Sequence, residues 1–363
     1  MARKAVKRLT FPWPVPYKPS VPKDRRVGVG IIGAGVIVRN AHLPAYRDMG
    51  LNVVAICDTD AGNAQRAAEL AGGVDWYTDY RQVLDRQDVH VVDAATHPSP
   101  RIRIMRDALK AGKDVLSQKP FVHDLTVGRE LVALAKKTKR LLAVNQNGRW
   151  APSWKAAYEL IVAGAIGTVQ TVRHHCHREH NKIVVGQSFD RIKHLMLYDF
   201  AIHWFDITTC WLADFKPLRV YASHMKGPGQ RARQRLLAQA AVEYDHALAS
   251  FAFDGNCSHD RPHEFCIEGT NGAIISEGEQ DIQIHRPDGV FRTELSGRWF
   301  HDGFRGAMAE FLCAREQGRK PWNNAEENLR SLQVCFAACH AADRKKIVDV
   351  KTVTKLPPGN ATA

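Results

Sequence analysis

The sequence predicts an α/β fold class: a doubly wound parallel sheet followed by an α+β domain on an open, mainly antiparallel sheet. Three observations carry that reading. An apolar, β-branched run from Val27 turns on Gly33 and Gly35 into a helical segment, as a strand buried on both faces and its following helix should. Strand and helix patterns then alternate as far as Asn145, the mark of parallel βαβ units. Beyond Asn147 the alternation gives way to longer period-two strands and two closing helices, the pattern of an α+β unit.

The chain has 363 residues, enough for two substantial cores. Residues 1–25 begin with Lys and Arg and continue as Phe11-Pro-Trp-Pro-Val-Pro-Tyr-Lys-Pro. Prolines this dense keep the backbone extended. Phe11, Trp13 and Tyr17 are poor residues to leave in water, which predicts an arm laid over the body or a neighbouring subunit rather than a free tail.

In the first strand–turn–helix, Gly33 permits the tight turn and Gly35 lets an anion approach the main chain. Val36 and Ile37 complete the loop before a helix expected over Arg39–Met49. Backbone N–H groups and a positive helix end converge there, the arrangement that holds the pyrophosphate of a dinucleotide. Val38 stands where the fingerprint has a third small residue, which predicts looser helix–strand packing or a shifted phosphate. The second strand, Leu51–Cys57, ends in Asp58. An acid at that point accepts hydrogen bonds from the adenosine ribose and repels a 2′-phosphate, favouring NAD over NADP. The competing reading makes Asp58 the cap of a helix from Asn63.

Helices expected at Ala61–Ala71, Arg81–Arg86, Ile102–Ala111 and Val127–Lys137 alternate with strands near Trp76 and at His90–Ala95, Asp114–Ser117 and Leu141–Asn145. That completes about six strands. Their carboxyl ends, where doubly wound sheets bind ligands, carry Thr96-His97-Pro98, Gln118-Lys119-Pro120 and Asn145-Gln146-Asn147. The second unit is expected to hold a helix at Ser153–Val162, a strand at Thr168–Arg178, a helix at Leu195–Leu212 and alternating strands from Leu218 through Ile284. Helices at Phe304–Glu316 and Ala325–Ala342 close it, and the tail from Thr352 reads as frayed. The expected divisions are an arm at 1–25, a dinucleotide-binding domain at 26–147, a substrate and oligomerisation domain at 148–350 and a tail at 351–363.

The motifs at these strand ends resemble those of the Gfo/Idh/MocA oxidoreductases, relatives of glucose–fructose oxidoreductase and inositol 2-dehydrogenase. The family's Ala-Gly-Lys-x-Val-x-x-Glu-Lys-Pro run is similar to Ala111-Gly-Lys-Asp-Val-Leu-Ser-Gln-Lys-Pro120. Its Thr-Pro segment appears as Thr96-His97 and its Asn-x-Arg segment as Asn147-Gly-Arg149. Its helical Asp-x-Gly-x-His-x-x-Asp signature appears as Asp199-Phe-Ala-Ile-His203-Trp-Phe-Asp206. The resemblance spans about residues 26 to 345. It departs at Gln118 for glutamate, Arg101 for a frequent histidine, Ala201 for glycine, and Val38.

This resemblance implies NAD bound by Gly33, Gly35, Val36, Ile37, Asp58, Thr96, His97, Gln118, Lys119 and Asn147. It implies a carbohydrate substrate held by Lys119, Arg149, Trp150, His180, Asp199 and His203. On a helix Asp199 and His203 are i and i+4 and share a face. Histidine suits removal of a hydroxyl proton as hydride leaves for the nicotinamide. Asp199 is expected to orient it, and Lys119 to stabilise the developing alkoxide; the bland reading is a satisfied histidine beside solvated acids. Trp150 offers either a sugar-stacking face or buried packing. The expected function is an NAD-dependent dehydrogenase or reductase of a sugar, polyol or related carbohydrate. The alternatives are an NAD-retaining glycoside hydrolase or lyase working by transient oxidation, and a non-catalytic NAD-binding regulator.

His174, His175, Cys176, His177 and His180 invite a metal reading. In a strand they alternate faces, so only His175 and His177 converge, and no nearby carboxylate in sequence completes a ligand set; no metal is expected. The formal charge is +13, but the basic residues are scattered among acids with no nucleic-acid motif, so no nucleic-acid partner is expected. The eight cysteines lack a Cys-x-x-Cys pair, which fits a reducing cytoplasm rather than a disulfide framework. No run approaches a membrane span. The open sheet predicts a homo-oligomer, a dimer or tetramer.

Overall fold

A computed structural model of the chain describes residues 13–360 apart from Pro262; Phe11 and the basic start of the arm lie outside the described residues. The first sheet is built by β1 (Val29–Ile32), α1 (Leu43–Asp48), β2 (Val53–Cys57), α2 (Ala61–Leu70), β3 (Asp75–Tyr77), α3 (Tyr80–Asp85), β4 (Val91–Ala94), α4 (Pro98–Lys110), β5 (Asp114–Gln118), α5 (Leu125–Thr138) and β6 (Leu142–Asn145). Its strand order is β3-β2-β1-β4-β5-β6, with every pairing parallel. The order reverses between β1 and β4, and the crevice outside their carboxyl ends is where such sheets take a ligand.

Local chemistry sets these boundaries. Asp60, not Asp58, caps α2 by accepting from the Asn63 N–H at 2.7 Å. Asp79 and Asp124 do the same for α3 and α5 through Arg81 and Thr126, at 3.0 and 2.8 Å. The helix expected from Ile102 starts at Pro98, because proline at the first position is already set for a helix and lacks the N–H that would go unpaired. The helix after the glycine turn opens as a π-helical turn, Val38–His42. That wider turn carries the fully buried Val38 where a small residue was expected.

The second unit contains α6 (Pro152–Val162), β7 (Val169–His177), α7 (His180–Val184), α8 (Ile202–Trp211), β8 (Pro217–Met225), β9 (Leu237–Tyr244), β10 (Leu248–Asp254), β11 (Glu264–Gly269), β12 (Gly272–Ser276), β13 (Asp281–Arg286), β14 (Gly289–Glu294), α9 (Trp299–Glu316), α10 (Ala325–Arg344) and β15 (Val348–Asp349). Its sheet runs β14-β13-β12-β11-β7-β10-β9-β8-β15; β7 and β10 pair parallel and the other neighbours antiparallel. The helix expected from Leu195 through Leu212 is divided: Leu195–Phe200 is π-helical and α8 follows Ala201.

The two units share their cores. Phe304, Met308, Phe311 and Leu312 of α9 pack with Val29, Ile31, Val91 and Leu116 of the first sheet. Arg315 reaches Asp114 at 2.9 Å, and Asn323 bonds both backbone groups of Val144, at 2.8 and 3.1 Å. The tail is not frayed through Asn360. The Leu356 N–H donates to the His123 carbonyl at 2.9 Å, and the buried Asn360 accepts from the His194 N–H at 2.7 Å. The described part of the arm lies on the body: Val15 is buried, Trp13 meets Phe291 edge-on, and the Tyr17 hydroxyl accepts from the Ser296 N–H at 2.7 Å. Among the described residues no helix is long and apolar enough to cross a membrane.

Candidate active site

At the end of β1, Gly33 holds φ +100°, and a Cβ there would meet the Ala95 backbone at 2.7 Å. Only glycine tolerates both conditions. Over Gly35 there is open space, with nothing within 4 Å of an added Cβ. Val36 projects beside it, 66 % exposed; Ile37 follows, half-buried. Asp58, at the end of β2, accepts from the Ala34 N–H at 2.7 Å and the Asp60 N–H at 2.9 Å. Its carboxylate is thereby fixed against the glycine loop.

These groups fit NAD. The loop leaves room for a pyrophosphate, and Asp58 retains lone pairs for a ribose hydroxyl. At the other end of the crevice, the Gln146 amide and Asn145 Oδ1 are buried with no partner among the described residues. Buried polar atoms without partners are costly unless a ligand meets them. Gln146 was not among the residues assigned to the cofactor from sequence.

Arg101 also escaped that assignment. Fully buried, it donates to the Thr96 carbonyl at 2.5 Å and to the Pro120 carbonyl. It therefore ties the Thr96-His97 turn, whose His97 is exposed at the start of α4, to the turn after β5. Burial lowers its guanidinium pKa to about 10.

Gln118 turns into the protein. Its amide nitrogen lies 2.9 Å from His42 Nε2, and its oxygen accepts from the Lys119 N–H at 2.7 Å. His42 Nδ1 is 2.6 Å from Asp93 Oδ2, which also accepts from the Tyr46 hydroxyl at 2.7 Å. The network assigns the proton to Nδ1, so Nε2 accepts from Gln118. Both ends of the Gln118 side chain are thus engaged by the protein, rather than by a ribose as expected.

Lys119 and Asp199 come together from the two domains. The Lys119 ammonium donates to the Asp199 carbonyl at 2.8 Å and lies 3.4 Å from its Oδ1. In the first turn of α8, His203 is buried and makes no hydrogen bond to another described residue. Its ring stands edge-on to Trp299, centroids 5.1 Å apart. Burial, with the Lys119 charge beside it, holds its pKa well below the usual 6.5, so the imidazole is neutral. Trp299 Nε1 donates to Asn147 Oδ1 at 2.7 Å. A Cβ on Gly148 would meet Trp154 at 2.8 Å and His203 Cβ at 3.4 Å, so the Asn147-Gly-Arg149 turn packs directly against the histidine.

Three other expected substrate residues lie elsewhere or inward. Arg149 is buried in a paired contact with Asp206, at 2.6 and 2.9 Å, and donates to the Trp322 carbonyl. Asp206 also accepts from Ser331 at 2.8 Å and Asn328 at 3.2 Å, making the pair an interior strut. Trp150 is 3 % exposed, edge-on to Trp322, and packed where a Cβ on Gly306 would strike its ring at 2.2 Å. It offers no open stacking face. His180 is buried against Phe200, its Nδ1 3.0 Å from the Arg178 carbonyl, and burial lowers its pKa to about 4.

A family model for the oxidoreductase family, NAD-binding Rossmann fold, matches residues 27–146, and one for the GFO/IDH/MocA C-terminal domain matches residues 154–275. The chain belongs to the Gfo/Idh/MocA family. It is an NAD-dependent oxidoreductase. Among its relatives in the family is D-apiose dehydrogenase of Paraburkholderia graminis, 25% identical over 92% of both chains. Another, 1,5-anhydro-D-fructose reductase of Ensifer adhaerens, is 23% identical over 89% of this chain and 98% of its own. An oxidoreductase from Agrobacterium radiobacter, solved with NAD+, L-tartaric acid and magnesium, shares the fold with TM-score 0.82 and 19% identity, over 90% of this chain and 99% of that one. Levoglucosan dehydrogenase with NADH and levoglucosan aligns with TM-score 0.78 and 21% identity, over 89% and 99%.

Proposed function

We infer that the enzyme transfers a hydride between nicotinamide and a secondary alcohol or ketone of a sugar, polyol or related carbohydrate. The observation that carries this reading is the meeting of Lys119, from the carboxyl end of the cofactor sheet, with Asp199 and the neutral His203 on the facing helix. The named activities of the relatives, on apiose and anhydrofructose, support the substrate class.

Gly33, Gly35 and Asp58 would hold NAD, which would supply the hydride acceptor when bound. Lys119 draws negative charge onto the alcohol oxygen, and His203 takes the hydroxyl proton as the C–H electron pair leaves. The alcohol would leave as a ketone, its hydride passing to the bound nicotinamide, and the protonated His203 would return its proton to solvent. Asp199 holds Lys119 in place by its carbonyl and carboxylate. Trp299 and Trp154 pack on one side of His203 and shield that side of the imidazole, while Lys119 and Asp199 keep a path to solvent.

The open face of the second sheet supports a homo-oligomer, a dimer or tetramer. A groove of about 500 Å³ there is lined by Thr171, Arg219, Leu248 and Ile347. Tyr221, Leu248 and Ile347 are all more than half exposed, an apolar area that a second subunit would cover.

The test is steady-state NAD reduction against a broad panel of sugars and polyols, with NADH oxidation by the matching ketoses. Turnover with at least one member, abolished in Lys119→Ala, is expected. No cofactor reduction or oxidation with any member would sink the reading.

A further inference from the structure

The face of β7 turned away from the core carries a side-chain cluster that the dehydrogenase chemistry does not use. Side chains alternate along a strand, and His174 and Cys176 point inward, His174 being stacked between Trp211 and Phe251. His175 and His177 therefore share the other face, with ring centroids 3.7 Å apart. Strand register brings carboxylates to both. Glu264 of β11 lies directly opposite His175, and Asp254 of β10 directly opposite His177. Paired residues across strands point to the same side. The donor atoms of His175, His177 and Glu264 all lie within 4.8 Å of one another. The carboxylate missing from the sequence reading is thus delivered by a strand far along the chain.

We propose that His175, His177 and Glu264 bind one divalent transition-metal ion. Two imidazoles and a carboxylate converging from one side form a donor set for zinc, cobalt, nickel or copper. Three protein ligands leave further positions for water. Two of the three are unengaged: neither the Glu264 carboxylate nor the His175 ring makes a hydrogen bond to another described residue. His177 is 3 % exposed, with Asp254 Oδ2 3.7 Å from its Nδ1. The Arg261 guanidinium stands over it, 2.9 and 3.1 Å from the two ring nitrogens. Arg261 is exposed and its guanidinium covers the His177 ring; a divalent ion takes its place at the ring nitrogen and the arginine swings to solvent.

A second convergence, His194, His224 and Asp343, lacks that freedom. His194 is engaged at both nitrogens by Asn360 and Asp343, at 3.1 and 3.0 Å. Arg235 donates to His224 at 2.8 Å, and Lys193 holds the other Asp343 oxygen at 2.8 Å. It is a clasp for the tail.

The experiment is titration of metal-free, full-length protein with zinc chloride by calorimetry, repeated with cobalt and followed by visible absorption. One site per chain is expected, with the intense visible bands of low-coordinate cobalt. Loss of a mere outer-shell partner weakens metal sites 10–100-fold, so His175→Ala and Glu264→Gln should each lower affinity by at least ~100-fold. Arg261→Ala should raise affinity, and His224→Ala should leave it unchanged. Added zinc should raise the Tm of the wild type and not of Glu264→Gln. The near-isosteric Glu264→Gln carries the test should His175→Ala unfold. Unchanged binding in Glu264→Gln, loss of binding in His224→Ala, or no binding at all in the wild type would each overturn the proposal.

Discussion

The Lys119 ammonium spans the two domains to reach Asp199, touching its carbonyl at 2.8 Å and its carboxylate at 3.4 Å. One side chain just past the end of β5 thereby holds the π-helical segment that leads into α8, the helix that carries His203. Lys119→Ala should lose turnover by roughly a hundredfold or more and lose NAD affinity with it. Lys119→Met, which keeps the stem, should behave alike. A cofactor titration and kcat for each variant check this; unimpaired turnover in both would remove Lys119 from the mechanism.

His203→Ala should lower kcat/KM by roughly a hundredfold to ten-thousandfold while NAD binding holds. Only neutral imidazole accepts a proton, and the neutral form prevails above its pKa. Since burial and Lys119 hold that pKa well below 6.5, the rate of alcohol oxidation should rise with pH through an inflection on the acid side of 6.5. It should be level at neutrality. A pH–rate profile with its midpoint at or above 6.5 would contradict the buried, lysine-flanked histidine.

Asp58→Ala should weaken NAD by about 1–3 kcal/mol, the loss expected for hydrogen bonds to a charged group, and narrow the preference over NADP. Because Asp58 also fixes the Ala34 and Asp60 N–H groups, the variant loop should lose protection in hydrogen exchange. Fluorescence titration with both cofactors reads the ratio. An unchanged preference would place the ribose elsewhere.

The Arg149–Asp206 pair is 2 % and 1 % exposed. Breaking a buried pair leaves a charge without its partner, and Arg149→Met should cost about 3–5 kcal/mol of stability. Denaturant midpoints measure it. The folded enzyme should keep its substrate KM. A large rise in KM at unchanged stability would return Arg149 to the substrate.

His174 should make the protein acid-sensitive. Burial, with the His263 charge, lowers its pKa from 6.5 to about 3. Below 6.5 the unfolded chain takes up a proton that the native state refuses until about 3. Stability therefore falls with pH through that window, by at most ~1.4 kcal/mol per unit from this group. His123, His224 and His263, each lowered to about 4, act in the same direction. His174→Phe should flatten the fall in unfolding free energy between pH 7 and pH 5; an unaltered slope would show that His174 does not contribute.

What the sequence revealed was local. The glycine turn and Asp58 at a strand end each sit within one element or one turn, where spacing dictates geometry. Lys119 joined them through a motif at a strand end. The i, i+4 pairing of Asp199 with His203 assumes one continuous helix; the break at Ala201 puts Asp199 in the π-helical segment and His203 in α8, and Asp199 meets Lys119 instead. The interior partners were illegible because they depend on pairings between distant segments. Arg149 looked like a substrate ligand until α8 brought Asp206 beneath it. Gln118 looked like a ribose ligand until His42, from the far side of the glycine turn, was found against its amide. Trp150 reads from sequence as either a stacking face or packing, and Gly306 decides for packing by letting α9 close over the ring. The carboxylate beside His175 arrives only with the register of β11, and the tail reads as frayed until Asn360 meets His194.

The helix α9, whose Phe304, Met308, Phe311 and Leu312 share a core with Val29, Ile31 and Leu116, has a consequence for synthesis. When residue 147 leaves the ribosome, that side of the nucleotide half is covered by α1 and the turn before it but lacks α9. The covering helix, Trp299–Glu316, is encoded about 150 to 170 codons later. At ordinary elongation rates that is an interval on the order of ten seconds or more. The nascent chain must spend it holding a half-covered sheet, the state in which chaperones are recruited and premature termination yields aggregate instead of a free-standing nucleotide-binding fragment.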